Sequence, residues 1–175
     1  MTDLRFPIGK FTREDNVTPE MLRSFTDDIA TAPAKLRESV QGLSEEQLDT
    51  PYRADGWTLR QVVHHMPDSH LNSYTRFRLA LTEDEPMIRT YHEDKWAELA
   101  DAKTAPVDLS LTMFDSLHSR WVILINALGP SDFERKLKHP ALGLIRLDTM
   151  LGIYAWHARH HTAHITGLRD RMGWH

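Results

Sequence analysis

The chain contains no cysteine in 175 residues. That excludes a disulfide framework, a thiolate zinc site, an iron–sulfur cluster and a cysteine nucleophile, and it suits a reducing compartment. No run approaches the roughly 20 apolar residues that a membrane span needs. The opening residues, Met1 to Asp15, hold no apolar signal core. A basic block is also missing: 21 Lys and Arg stand against 25 Asp and Glu, for a formal net charge of -4. A mildly acidic chain without such a block is not expected to bind nucleic acid. A cytoplasmic protein without membrane or nucleic-acid partners is the expectation. The length suits one domain over residues 1–175, of a size that buries about 70% of its unfolded surface without staples.

What the chain does have is histidine. There are 11, and seven fall in two short windows, 64–70 and 157–164.

Apolar spacing places these windows on helices. Residues 1–17 lack periodicity and read as an extended arm. Thr18-Pro19-Glu20 is a helix start, with Thr as N-cap and Pro at the first helical position. Leu22, Phe25, Ile29, Leu36 and Val40 continue it, and Pro33 predicts a kink or a restart. Ser44–Leu48 reads as a short capped turn. A second long helix opens after Thr58 and runs to about Thr82. A polar stretch over 87–106 reads as a long crossover with a short helix near 93–99. A third long helix follows Pro106 and ends before Gly129-Pro130. Residues 131–146 form either a small hairpin or a loop. The last helix spans about 148–172, with Gly173 as its C-cap. Four long amphipathic helices and one crossover predict an all-α four-helix bundle.

Helical phase sorts the last histidine cluster. Relative to the stripe of Leu151, Tyr154, Ala158, Ile165 and Leu168, His161 lies within roughly 30°, His157 within roughly 70°, His164 at roughly 90° and His160 at roughly 130°. Two imidazoles at i and i+4, His157 and His161, therefore point inward and can share one metal ion. A third ligand must come from another helix. His70 lies almost central on the apolar stripe of the second helix, whereas His64 and His65 fall on its flanks, and spacing does not choose between them. Ala158 stands where a zincin would carry glutamate, which disfavours a peptidase of that type. No Glu-x-x-His pair recurs, which disfavours a di-iron centre.

Together the motifs resemble a known family. They are Thr50-Pro51-Tyr52-Arg53, Gly56-Trp57-Thr58-Leu59-Arg60-Gln61-Val62-Val63-His64-His65-Met66, Asp68-Ser69-His70 and Trp156-His157-Ala158-Arg159-His160-His161-Thr162-Ala163-His164. The set is similar to the YfiT type of the DinB-like superfamily, over about residues 6 to 174. The resemblance implies a four-helix bundle holding one divalent metal per chain through three histidines, with zinc foremost and nickel possible. The family's first ligand is the histidine eight residues after the tryptophan, which corresponds to His65. The other two correspond to His157 and His161, the pair that helical phase also selects. Pro67 stands where relatives carry a small residue. The superfamily is described as metal-dependent hydrolases, and several branches transfer low-molecular-weight thiols such as bacillithiol or mycothiol. The expected reaction is thus S-transfer or hydrolysis, with a small thiol and an electrophile as partners. The alternative is a non-enzymatic metal-binding or stress-response module.

The resemblance also implies a homodimer, for which Ile153 and Trp156 offer leftover apolar surface. His64, Asp68, Asn72, His160 and His164 are candidates for supporting the ligands or the substrate. Arg53, Arg60, Arg76 and Arg159 are candidates for binding a carboxylate. Trp57, Trp121 and Trp156 are expected to pack the bundle.

Overall fold

The computed structural model describes residues 3–174. Met1, Thr2 and His175, the ends of the expected domain and arm, lie outside the described residues. Four long helices dominate: α1 (Pro19–Val40), α3 (Leu59–Thr82), α6 (Val107–Asn126) and α8 (Leu147–Met172). Between them lie short helices α2 (Glu45–Leu48), α4 (Glu93–Trp96), α5 (Ala100–Thr104) and α7 (Pro130–Phe133), and strands β1 (Lys136–His139) and β2 (Gly143–Arg146). The expected all-α bundle is what forms.

The caps explain the boundaries. Thr18 accepts from the Met21 amide with Pro19 at the first helical position. Ser44 and Thr58 each close a reciprocal capping box, with Gln47 and Gln61 respectively, satisfying amides that a helix start leaves unpaired. Gly173 ends α8 at φ 66°, a left-handed conformation that costs glycine little. The possible restart at Pro33 does not occur, because α1 runs unbroken through it, as α3 does through Pro67. The segment 131–146 resolves as a hairpin whose paired Leu137 and Ile145 are buried.

α1 packs on α6 and α8, and α3 also packs on α6 and α8. Going round the bundle, the order is α1, α6, α3, α8, so helices consecutive in the chain sit diagonally in two cases. α1 and α8 approach closely: a Cβ on Gly152 would lie 3.0 Å from the Phe25 ring. Two apolar cores fill the bundle. One gathers Ile29, Phe77, Trp121 and Leu151, and the other Leu36, Val62, Phe114 and Ile165. Between them α3, α6 and α8 contribute a layer of imidazoles: His70, His118 and His157.

The leftover surface expected on α8 is covered from within the chain. Ile153 packs against the first core, and Trp156 meets Phe11 of the arm at 6.2 Å between ring centroids. The arm therefore lies along α8 instead of projecting from the bundle.

Candidate metal centre

His65 enters from α3, and His157 and His161 from successive turns of α8. Each offers one ring nitrogen, and the three lie within 4.8 Å of one another. His65 Nε2 lies 3.2 Å from His157 Nε2. Burial pushes the His65 pKa down to about 4, and it holds His157 and His161 well below the ordinary histidine range, with neighbouring imidazoles adding to the effect. All three rings are neutral near pH 7, which is the state that ligates a metal.

Hydrogen bonds decide which nitrogens are bare. The carbonyl of Ile29 lies 2.6 Å from His118 Nδ1 and can only accept, so Nδ1 carries the proton. His118 Nε2 then accepts from His70 Nδ1 at 2.9 Å. His70 Nε2 in turn accepts from His157 Nδ1 at 3.1 Å. The neutral His157 is left with a bare Nε2, aimed at His65. A second chain starts at the Arg5 carbonyl, which accepts from His164 Nε2 at 3.3 Å. His164 Nδ1 accepts from His161 Nδ1, also at 3.3 Å, and this leaves His161 Nε2 bare.

The bare Nε2 of His157 faces His65 Nε2 across 3.2 Å, so either a proton on His65 Nε2 or a cation must lie between them. The donor set therefore fits a divalent ion that takes imidazole nitrogen. A second triad, His160, His161 and His164, also lies within 4.8 Å. Its His161–His164 contact is already satisfied by the second hydrogen-bond chain.

The outer pair corrects the phase argument. Helical phase puts His164 at roughly 90° and His160 at roughly 130° from the core stripe, yet both are buried, whereas His157 and His161 keep some surface toward an open cleft. The cause is aromatic contact, most of it from outside the bundle. Tyr52 stacks on His164 at 4.1 Å, Trp156 stacks on His160 at 4.4 Å, and Phe6 of the arm caps His160 at 6.0 Å. Helical phase knows only the core stripe, so it misses burial supplied by a loop and an arm.

Other candidates separate clearly. His64 points away from the cluster: its Nε2 donates to the Ala105 carbonyl and its Nδ1 accepts from Ser110, tying α3 to the start of α6. Spacing left His64 and His65 equal, and the structure brings His65 to the paired histidines. Asn72 bonds back to the Asp68 carbonyl within its own helix. The Asp68 carboxyl is pushed up to about 6 by burial and the nearby Asp101. Of the four arginines, Arg60 is tied to Glu45 and Asp49 and Arg159 pairs with Asp28. Arg53 bonds within its own loop. Only Arg76 lines the cleft. Sequence reasoning missed His118 as a site residue. Its position in the series Leu111, Phe114, His118, Trp121, Ile125 puts it on the inward face of α6, and that signal was available.

The cleft beside the cluster has a volume of about 490 Å³. α3 supplies His65, Ser69 and Arg76 to its wall, α8 supplies Tyr154 and His157, the crossover supplies Thr90 and Tyr91, and the hairpin supplies His139. Trp121 packs the core as expected, but Trp57 and Trp156 border the cleft, with Trp57 4.9 Å from the His65 ring.

Comparison with known proteins agrees with this architecture. YfiT from Bacillus subtilis, described as a probable metal-dependent hydrolase with an unusual four-helix bundle topology, superposes with a TM-score of 0.97 at 46% identity, covering 99% of this chain and all of that one. A relative from Bacillus mycoides (strain KBAB4) is 53% identical and one from Bacillus cereus (strain B4264) 54%, each over 99% of this chain and all of its own length. The names of both are of the same kind. Residues 28–165 match the model of the DinB superfamily, and with these relatives the chain belongs to that superfamily.

Proposed function

We propose that the chain is a metal-dependent enzyme whose ion is held by Nε2 of His157, Nε2 of His161 and a ring nitrogen of His65. The observation that carries this reading is the convergence of these three imidazoles, with two hydrogen-bond chains leaving bare nitrogens aimed into the cluster. Zinc is the ion proposed, and nickel suits the same donors. Such an ion, held by three protein ligands, keeps an exchangeable position and supplies positive charge that lowers the pKa of a thiol or water there.

The chain's own residues do the rest. The surrounding protein keeps the imidazoles unprotonated and so available. His70 and His164 hold the ligand rings in orientation. Trp57, Tyr154 and Trp156 exclude water from one side of the cleft.

The reaction proposed is transfer of a small thiol's sulfur to an electrophile, or hydrolysis at the same site. In the transfer, the S–H proton passes to solvent, a carbon–sulfur bond forms and the electrophile's leaving group departs with its bonding electrons. The open cleft with converging polar groups favours an enzyme over a structural metal module, whose ion would have a closed ligand set. The thiol, the electrophile and a homodimeric state are part of this proposal. Dimerisation rests on the resemblance and on Leu109, Met113 and Ile123, which are exposed on one face of α6.

The test loads the protein with zinc or nickel and offers bacillithiol, mycothiol, glutathione, coenzyme A or no thiol, with one generic electrophile. Metal-dependent turnover with one thiol supports transfer. Rates equal to metal-free controls throughout, for the electrophile and for ester and amide substrates, overturn the enzyme reading. Sedimentation at micromolar concentration decides the dimer.

A further inference from the structure

Two arginines are buried among the described residues, Arg60 and Arg76, and their surroundings differ. The Arg60 guanidinium is neutralised by Glu45 and Asp49 and also donates to the Ala105 carbonyl. Arg76 is 7% exposed and pairs with no carboxylate among the described residues. Two of its N–H groups are used: Nη1 donates to the Tyr154 hydroxyl at 3.3 Å and Nη2 to the Arg89 carbonyl at 3.0 Å. A guanidinium has five N–H donors, and the remaining three have no acceptor among the described residues. Glu93, the acidic residue of the same cleft, does not pair with it.

Burying a charge without a partner is costly, and a guanidinium cannot escape the cost by losing its proton. A folded chain retains such a group where something outside it completes the pair. Arg76 lines the cleft that also holds His65, His157 and His161. It follows His65 by 11 residues on α3, a rotation within roughly 20° of the same helix face and a rise of about 16 Å. The cationic group and the imidazole cluster therefore share one face, three turns apart.

We propose that Arg76 is a carboxylate subsite, so that the substrate class is an extended molecule carrying a carboxylate at one end and its reacting atom at the other. The planar fork of the guanidinium takes a carboxylate through two parallel hydrogen bonds. Arg76 already holds Tyr154 and the crossover carbonyl of Arg89, so its fork is fixed before the ligand arrives. Thr90 and Tyr91, next in the crossover, also line the cleft. The inference rests on the reading that the cleft delivers substrate to the three imidazoles.

The experiment uses glutarate as the probe and neutral glutaramide as its control, on full-length, metal-free protein. Nitrogen-15 NMR follows the Arg76 Nε–H signal. Wild type should show a saturable shift with glutarate and none with glutaramide. Arg76→Gln should weaken glutarate binding about 10- to 100-fold, and Arg76→Lys, which keeps charge but not the fork, should fall between. Circular dichroism melting confirms that each variant is folded, and Arg76→Lys carries the test if Arg76→Gln is not. Equal glutarate affinity in wild type and both variants overturns the proposal, as does equal binding of glutarate and glutaramide. An Arg76 that merely staples the crossover would lower the melting temperature without changing that discrimination.

Turnover separates the two readings. Where a carboxylated thiol is a substrate, Arg76→Gln should raise its KM with kcat little changed, and by a larger factor than it raises the KM of a neutral thiol of the same length. Glutarate bound at Arg76 in a protein inert toward every thiol, ester and amide leaves the subsite standing and removes the enzyme reading.

Discussion

The two hydrogen-bond chains end on the same imidazole cluster but begin in unlike places. The inner one runs from the Ile29 carbonyl through His118 and His70 to His157, between the two apolar cores. The outer one runs from the Arg5 carbonyl through His164 to His161, and its anchor belongs to an arm with no regular secondary structure. Its distances are longer, 3.3 Å at both steps against 2.6 to 3.1 Å for the inner chain. A buried chain without water has no substitute for a lost partner, whereas water can replace the Arg5 carbonyl at the surface. The same task, fixing a ligand's tautomer, is thus done rigidly on one side and adjustably on the other.

Removing a ligand should have the largest effect, because it takes a metal-binding nitrogen out of the cluster itself rather than a group that orients one. His161→Ala should bring metal content measured by elemental analysis close to zero, and its melting temperature should match that of chelator-treated wild type. His164→Ala should keep most of its metal, with affinity reduced about 10- to 100-fold. Should His164→Ala empty the site while His161→Ala stays loaded, the outer pair, His160 with His164, holds the ion instead.

Breaking the inner chain comes next. His118→Phe leaves the Ile29 carbonyl and the His70 Nδ1 proton without partners in a dry layer, at a cost of about 1–3 kcal/mol for each group. Urea unfolding should show that loss, and calorimetric titration should show metal affinity falling about 10- to 100-fold with it. Removing residues 1–17 should lower affinity less than His118→Phe does, with a smaller change in stability. An arm deletion that costs more affinity than His118→Phe would reverse the comparison.

Acid should act on both chains together. Nine histidines, the seven of the two clusters with His118 and His139, have pKa values lowered chiefly by burial. A histidine held below its ordinary value of 6.5 takes its proton first in the unfolded chain. Stability of the metal-free protein should therefore be level above pH 6.5 and fall as pH drops toward 4, near the values of His65, His118, His160 and His164. Asp68, raised to about 6, works the other way between about pH 4 and 6, but it is one group against nine. Urea midpoints across this range measure the balance. A flat profile from pH 7 to 4 would contradict the buried neutral layer.

The smallest effect is spectroscopic. Nitrogen-15 shifts of the metal-free protein should show His118 and His157 protonated at Nδ1 and His164 at Nε2. In the arm deletion His157 should keep its tautomer, while His161 should show a mixture.

Much of this was legible in the sequence because helices announce themselves locally. Thr18-Pro19, Ser44 and Thr58 set helix starts through bonds to amides three residues away, and 3.6-residue spacing gives the four long helices. Phase alone brought His157 and His161 to one face of α8, and the tryptophan-to-histidine spacing of the family supplied His65. Hydrogen-bond partners distant in the chain were not legible. His64 and His65 lie at equal angles from their stripe, and only the packing of α3 against α6 and α8 sends one to Ser110 and the other to His157. The burial of His160 and His164 comes from Phe6 and Tyr52, more than 100 residues earlier in the chain. Arg76 and Arg60 look alike as residues on one helix, yet α2 places Glu45 beside Arg60, and among the described residues nothing acidic pairs with Arg76. Periodicity encodes which face a side chain takes. What it meets there depends on contacts between distant segments, and those exist only once the helices have packed.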